Sequence, residues 1–437
     1  MNCNFTPEER REIIALMNRE IIPAIGCTEP IAVALCVAKA TETLGREPEH
    51  IEARLSANVL KNAMGVGIPG TGMTGLPIAM ALGALVGKSE YELEVLKDAN
   101  EASVKEGCRL IDEKRISVDL KEGIEEKLYI EIEVKAGADK AVAIIAGGHT
   151  RFVSITRNDE VLLSADAPAA SQGEAVVEQK DPELTLRRVW DFAMTAPLEE
   201  LEFILEAKRL NMNAAYESLK GEYGHAIGKL MRSESERNIM GDTLHCQIVG
   251  MTTAACDARM AGAMIPVMSN SGSGNQGITA TLPVVVYAED NHKSEEELIR
   301  ALVLSHLTVI YIKQSLGRLS ALCGCVVAAT GSSCGITYLM GGNYEQITYA
   351  VKNMIANITG MICDGAKPSC ALKLTSGVST AVLSAILAME NKCVTSVEGI
   401  IDDNVDRSIR NLTRIGSQGM NETDKLVLEI MTNKQCD

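Results

Sequence analysis

Aromatic side chains are in short supply: they make up 3% of the 437 residues, with a single Trp and four Phe. A core without rings must be built from Ala, Val, Ile, Leu and Met, and the nineteen methionines are flexible filler suited to helix packing rather than to a β-sandwich. Positive charge is also in deficit, with 42 Lys and Arg against 58 Asp and Glu and a formal net charge of −16. A surface of that sign offers no counterion-releasing face, so nucleic acid is excluded as an expected partner. The opening stretch "MNCNFTPEERREIIALMNREI" is charged and amphipathic and lacks the basic-then-apolar layout of a signal peptide. Uncharged runs are interrupted by clusters such as "SNSGSGNQG", so no stretch of roughly 20 predominantly apolar residues is expected, and no membrane partner. The expectation is a soluble, cytoplasmic protein. Its thirteen cysteines then sit in a reducing compartment, where thiols are packed, catalytic or metal-bound rather than paired.

The chain is longer than one hydrophobic core usually organises. Thr6 to Ile22 has helical periodicity, with Thr6-Pro7-Glu8-Glu9 as its start signal and Pro23 as its stop. A second helix is predicted from about Thr28 through "IAVALCVAKATETL". The segments "HIEARLSANVL" and "KLYIEIEVKAGADKAVAIIAGGHTRFVSITRNDEVLL" alternate like half-buried strands. Beyond them a small, polar stretch leads into helix-period sequence broken by Gly, Ser and Asn. The predicted class is α+β: a mixed α/β substrate domain at 1–170, a linker at 171–190, and a mainly helical domain at 191–437 that carries the cysteine loops.

Several short stretches are rich in glycine and small polar residues where ordinary core would be expected. They are "PAIGCTEP", "KNAMGVGIPGTGMTG", "SNSGSGNQGI", "LCGCVVAATGSSCG" and "ICDGAKPSC". Glycine lets a backbone approach a ligand closely and point successive N–H groups at an anion, although each stretch alone also reads as a plain turn. Cys323, Cys325, Cys363 and Cys370 lie in two such loops separated by one helical segment, which a hairpin would bring together. Cys-x-Cys with Cys-x6-Cys is not the spacing of a structural zinc site. An iron–sulfur cluster tolerates more varied spacing, and three protein thiolates leave one iron open. The plain alternative is that these are small buried apolar residues. Cys36, Cys108, Cys246, Cys256, Cys334 and Cys393 sit in helix-like surroundings and read as packing. Cys436 reads as an exposed, inert thiol or as a tail able to reach a metal site. His149 and His245 are weaker site candidates.

In this order the motifs resemble the L-cysteine desulfidase family and related bacterial proteins, which are similar to the iron–sulfur-dependent L-serine dehydratases. "LCGC" and "MICDGAKPSC" resemble the dehydratase loops that hold a 4Fe-4S cluster. "SNSGSGNQGITATLP", "PAIGCTEPIAVALCVA" and "GVGIPGTGMTGLPIAMALGAL" resemble its substrate segments. The resemblance implies a 4Fe-4S cluster on ligands drawn from Cys323, Cys325, Cys363 and Cys370, with Cys323 favoured over Cys325 because Gly324 follows it. It also implies substrate contacts from Thr28, Glu29, Asn62, Thr71, Ser271, Ser273, Asn275 and Gln276, a small amino-acid substrate, and a homo-oligomer. One departure matters: the dehydratases carry Ser-Ser-His-Thr where this chain has Gly26-Cys27-Thr28-Glu29. Cys27 is therefore the expected base, with its thiol pKa lowered by a helix N-terminus. The implied reaction is β-elimination of L-cysteine to pyruvate, ammonia and sulfide, with L-serine as the alternative substrate. A pyridoxal phosphate enzyme is disfavoured because no lysine lies between Lys229 and Lys293 to form the Schiff base. A non-catalytic iron–sulfur sensor would normally bring a basic surface, which this chain lacks.

Overall fold

The computed structural model describes residues 5–124, 126–164, 181–233, 237–317 and 320–433. Residues 171–180 of the expected linker, and Cys436, lie outside the described residues. Helix α1 (Pro7–Glu20) opens with a reciprocal cap: the Glu9 N–H donates to the Thr6 hydroxyl at 3.2 Å and the Thr6 N–H to the Glu9 carboxylate at 2.9 Å. The short strand β1 (Pro23–Ile25) follows, then α2 (Thr28–Leu44), which Gly45 ends in the left-handed region at φ 82°. Next come β2 (His50–Leu55), α3 (Ala57–Ala63), α4 (Leu76–Leu85), α5 (Glu101–Asp112) and the strands β3 (Ile116–Leu120), β4 (Tyr129–Ala136), β5 (Asp139–Ala146), β6 (Phe152–Arg157) and β7 (Glu160–Ser164). They form one sheet in the order β3-β2-β4-β5-β6-β7, parallel between β2 and β3 and antiparallel elsewhere. Helix α2 packs on β4 and β5, and α4 packs on α2.

The strand expected over "HIEARLSANVL" ends at Leu55, and the rest is helix α3. Alternating burial stops there, and Asn58 to Ala63 are all buried. A segment enclosed on every side needs its backbone groups satisfied from within, which a helix provides and an edge strand does not.

The second half contains α6 (Leu186–Thr195), α7 (Leu205–Lys220), α8 (Ile227–Met231), α9 (Arg237–Met240), α10 (Leu244–Met260), the three-residue strand β8 (Pro266–Met268), α11 (Gly274–Asp290), α12 (Glu295–Leu316), α13 (Gly324–Leu339), α14 (Tyr344–Ile358), α15 (Cys370–Met389), α16 (Val405–Arg414) and α17 (Asn421–Thr432). An α+β class with a mainly helical second half is thus the observed architecture. Helix α13 is its centre, packed against α11, α12, α14 and α15. Its glycines set those spacings: a Cβ on Gly331 would lie 2.4 Å from the Ser305 carbonyl oxygen, and one on Gly335 would lie 3.0 Å from that of Ala301. The expectation that no segment is long and apolar enough to span a bilayer is corrected by α15, which is so by length and composition. That helix packs on α10, α13 and α14.

Two hydrophobic clusters form, and each takes in a segment from across residue 170. Ile13, Met17 and Cys27 belong to the cluster of the helical half, and Leu428 of α17 belongs to the cluster of the sheet half. Buried Lys61 of α3 pairs with Asp424 of α17. The two halves are also stitched by the antiparallel β1–β8 ribbon, with Pro23 opposite Met268 and Ile25 opposite Pro266.

Candidate active site

The β1–β8 ribbon sets two of the glycine-rich stretches side by side, because Cys27 follows β1 and the Ser269–Ser273 loop follows β8. The Ser269 N–H donates to the Ile22 carbonyl and the Ser271 N–H to that of Glu20, both at 2.9 Å. A buried polar network fixes the loop's base. The His306 ring nitrogens meet Asn270 at 3.0 Å and Thr281 at 2.9 Å, and Asn211 accepts from the Met268 N–H at 2.8 Å. Burial keeps that imidazole neutral, with its pKa lowered to about 3. The "GVGIPG" turn docks on the end of α10, with the Gly67 N–H on the Met260 carbonyl at 2.9 Å and the Gly70 N–H on that of Gly262 at 3.2 Å. The two cysteine loops are tied to each other by a bridge between Leu322 and Ile362, with Cys323 N–H donating to Met361 at 3.0 Å and Cys363 N–H to Ala321 at 2.6 Å. A Cβ on Gly365 would meet the Lys61 carbonyl oxygen at 2.2 Å, so this pair of loops also sits directly on α3. All five stretches converge.

Between them lies a cavity of about 110 Å³, lined by Cys27, Glu29, Asn62, Ser273, Asn275, Gln276 and the four thiols Cys323, Cys325, Cys363 and Cys370. Three other residues expected as substrate contacts stand outside that lining. The Thr28 hydroxyl bonds Glu29 at 3.1 Å and the Gly272 carbonyl at 3.3 Å. The Thr71 hydroxyl closes its own turn, donating to Ile68 at 2.8 Å. Ser271, at φ +49°, donates its hydroxyl to Asn270 at 2.8 Å.

Cys27 caps the N-terminus of α2, yet its thiol is not acidified. Burial, and then the Glu29 carboxylate, push its pKa well above the ordinary value, with Arg259 opposing. A helix end contributes about 0.3–1 kcal/mol, which desolvation outweighs. The expected lowered thiol pKa is therefore corrected: Cys27 holds its proton and donates it to Glu29 at 3.0 Å. Burial also works against ionised Glu29, but His149, the Cys27 thiol and Arg259 outweigh it and hold that carboxyl below its usual range. Asn62 adds a bond to its other oxygen at 3.2 Å. His149 thus acts on the site through its field on Glu29, while His245, on the first turn of α10, is outside the cavity lining.

The four thiols differ in how they are committed. Cys325 donates to the Lys373 carbonyl at 3.2 Å and fills the space above Gly377, where a Cβ would lie 2.5 Å from its sulfur. Cys370, the first residue of α15, reaches the Gly365 carbonyl at 3.6 Å. Cys323 caps α13, and among the described residues neither it nor Cys363 donates a thiol hydrogen bond. Burial and then the neighbouring Cys363 push Cys323 up to about 12. Lys373 lies beside both, its ammonium bonded to the Ile362 carbonyl at 2.9 Å. Among the described residues no three His, Cys, Asp or Glu side chains converge closely enough for a single ion. A four-iron cluster spreads its thiolates more widely. Soft sulfur donors on two helix starts beside a lysine fit such a group, whose binding would displace the thiol protons.

Three cations at the cavity, Arg259, Lys313 and Lys373, were not singled out from the sequence. A lone Arg in "ACDARMAG" reads as a solvent-facing charge, and only the packing of α10 against the substrate loops shows that it is 4% exposed. Of the remaining thiols, Cys36, Cys246, Cys256 and Cys334 are buried in helices, and Cys108 and Cys393 are half-buried.

A family model described as serine dehydratase alpha chain matches residues 90–429. A UPF0597 protein of Phocaeicola vulgatus is 74% identical over 98% of this chain and 99% of its own length. One of Bacteroides fragilis is 71% identical over 99% and 100%, and one of Aeromonas hydrophila 44% identical over 97% and 96%. The chain belongs to the serine dehydratase alpha chain family, in which lyase chemistry depends in general on an iron–sulfur group.

Proposed function

We propose that the protein is an iron–sulfur-dependent amino-acid lyase that eliminates the β-substituent of L-cysteine to give pyruvate, ammonia and sulfide. The observation that carries the reading is the single cavity in which a Cys27–Glu29 proton pair from one half faces the Cys323, Cys363 and Cys370 thiols of the other. Those three thiols would hold a 4Fe-4S group, with Cys325 assigned to the α13–α15 interface because its proton already has an acceptor there. When bound, such a group supplies a thiophilic Lewis acid for the leaving substituent. The chain's own residues do the rest. Cys27 sulfur takes the proton from the substrate α-carbon while passing its own to Glu29, and Asn62 holds the receiving carboxyl in place. The replacement of the dehydratase imidazole by this thiol–carboxylate pair favours L-cysteine, and membership of a serine dehydratase family keeps L-serine as the second substrate to test.

The test is anaerobic purification followed by pyruvate and sulfide assays with each amino acid. The expected outcome is a brown protein with about four irons per chain and faster pyruvate formation from L-cysteine than from L-serine. Ser in place of Cys323, Cys363 or Cys370 should remove the iron, and Cys325→Ser should retain it. A protein that binds no iron, or one that forms pyruvate from neither amino acid, refutes the proposal.

A further inference from the structure

Arg259 poses a physical problem that the proton pair and the thiols do not answer. Arg259 is 4% exposed, lines the cavity, and among the described residues forms no ion pair. Its one side-chain acceptor is neutral, the Asn275 amide oxygen at 3.0 Å from Nη1, and Nε has no acceptor at all. Glu29 acts on Arg259 only through space, with no ion-pair contact, and a buried guanidinium left without a bonded anion is expensive, so a site built this way is completed by a negatively charged ligand. What lies beside it is an anion-binding element. A Cβ on Gly274 would fall 2.2 Å from Arg259 Nε, so the guanidinium rests against the first residue of the 17-residue helix α11. The leading N–H groups of a helix have no partners within it, and here the Ser273 hydroxyl takes the one at Gln276, at 3.5 Å. A third group in the same cavity carries the opposite need: the Gln276 amide oxygen is buried and receives no hydrogen bond.

We infer that Arg259, with the N-terminus of α11, is the anchor for the α-carboxylate of a small zwitterionic amino acid, whose ammonium is received by the Gln276 oxygen. The inference rests on the lyase reading for the reaction but not for the binding. Guanidinium and carboxylate match as a planar fork, a geometry that lysine does not reproduce. The clamp confines the substrate class to free α-amino acids. A cavity of about 110 Å³, shared with the thiols of the proposed cluster, keeps them small, since pockets for drug-sized ligands measure roughly 300–1,000 Å³.

The measurement is calorimetric binding of L-alanine, which has no leaving group, and of L-alaninamide, which lacks the carboxylate, to the anaerobically purified protein. The wild type should prefer L-alanine by roughly 10- to 100-fold, the range of a charge-assisted pair. Arg259→Gln should abolish that preference, and Arg259→Lys should restore part of it. In turnover, Arg259→Gln should raise KM for the amino acid far more than it lowers kcat. Equal wild-type affinity for the two ligands, no L-alanine binding, or an undiminished preference in Arg259→Gln overturns the inference. If Arg259→Gln does not fold, the wild-type comparison and Arg259→Lys decide it. A protein that binds L-alanine through Arg259 but eliminates neither L-cysteine nor L-serine retains the clamp and loses the lyase proposal.

Discussion

Cys27 and Glu29 stand two residues apart at the start of α2, and their surroundings move them in opposite directions: burial raises the thiol, while His149, the Cys27 thiol and Arg259 outweigh burial and hold the carboxyl down. The thiol keeps its proton well above its ordinary pKa, while the carboxyl loses its own more readily than usual. At neutral pH the resting pair is therefore thiol and carboxylate. Cys27→Ala and Glu29→Gln should each lower turnover by about 10²- to 10⁴-fold with iron content unchanged, the usual contribution of a positioned base. Assays of iron and pyruvate on both variants check this, and an effect confined to Glu29→Gln would make the carboxylate the direct base. The sign of the pH dependence follows from the same shifts. Glu29 is ionised above its depressed value, so the acid limb that it imposes on kcat/KM falls below about 4.3, the ordinary Glu value. No alkaline rise from a freely titrating Cys27 should appear up to pH of about 9. The pair was half legible in the sequence: its position at a helix start was readable, but the direction of the thiol shift was not, because burial comes from the β1–β8 ribbon and α10, which the local sequence does not announce.

At the scale of elements, close backbone approach recurs as the means of building the site. Helix α13 carries Cys323 at its cap and reaches α12 only because Gly331 has no side chain to strike Ser305. The obstructing atom is a backbone carbonyl oxygen, which cannot swing aside. Gly331→Ala should destabilise the protein by about 1–3 kcal/mol, the range for overpacking a close-packed core. Denaturant unfolding measures it, and an unchanged midpoint would show that α12 and α13 can separate freely. Such elements were legible wherever chemistry punctuates the chain. The Thr6 to Glu9 cap, the helix after Thr28 and the strands from Tyr129 to Ser164 follow from capping residues and alternation. Helix α3 was not, since a short segment buried on all sides has no periodicity to read. The meeting of the cysteine loops was suggested by the helical segment between them. The cationic side of the cavity, Arg259 above all, depends on long-range packing and left no local trace.

For the whole molecule, the decisive feature is that segments from each half complete the other. Helix α17 brings Leu428 and Asp424 to the sheet half, where Asp424 meets a Lys61 that is only 2% exposed. Asp424→Asn leaves that ammonium buried without its counter-charge. It should cost about 1–3 kcal/mol after allowance for the partial exposure of Asp424. Thermal unfolding checks the value, and Lys61→Met combined with Asp424→Leu should recover much of the loss. Neither partner is recognisable from sequence as half of a pair, since 363 positions separate them. That the cavity draws on both halves has a further consequence, which concerns time rather than space. Cys27 leaves the ribosome more than 300 residues before Cys363 and Cys370. At synthesis rates of about 5–20 residues per second that delay is roughly 15–70 s. Throughout it the growing chain has its proton pair but not its full set of thiols. The proposed iron–sulfur group would therefore be loaded only after Cys370 has emerged, so the reactive centre would be completed late, inside a scaffold whose other half is already made.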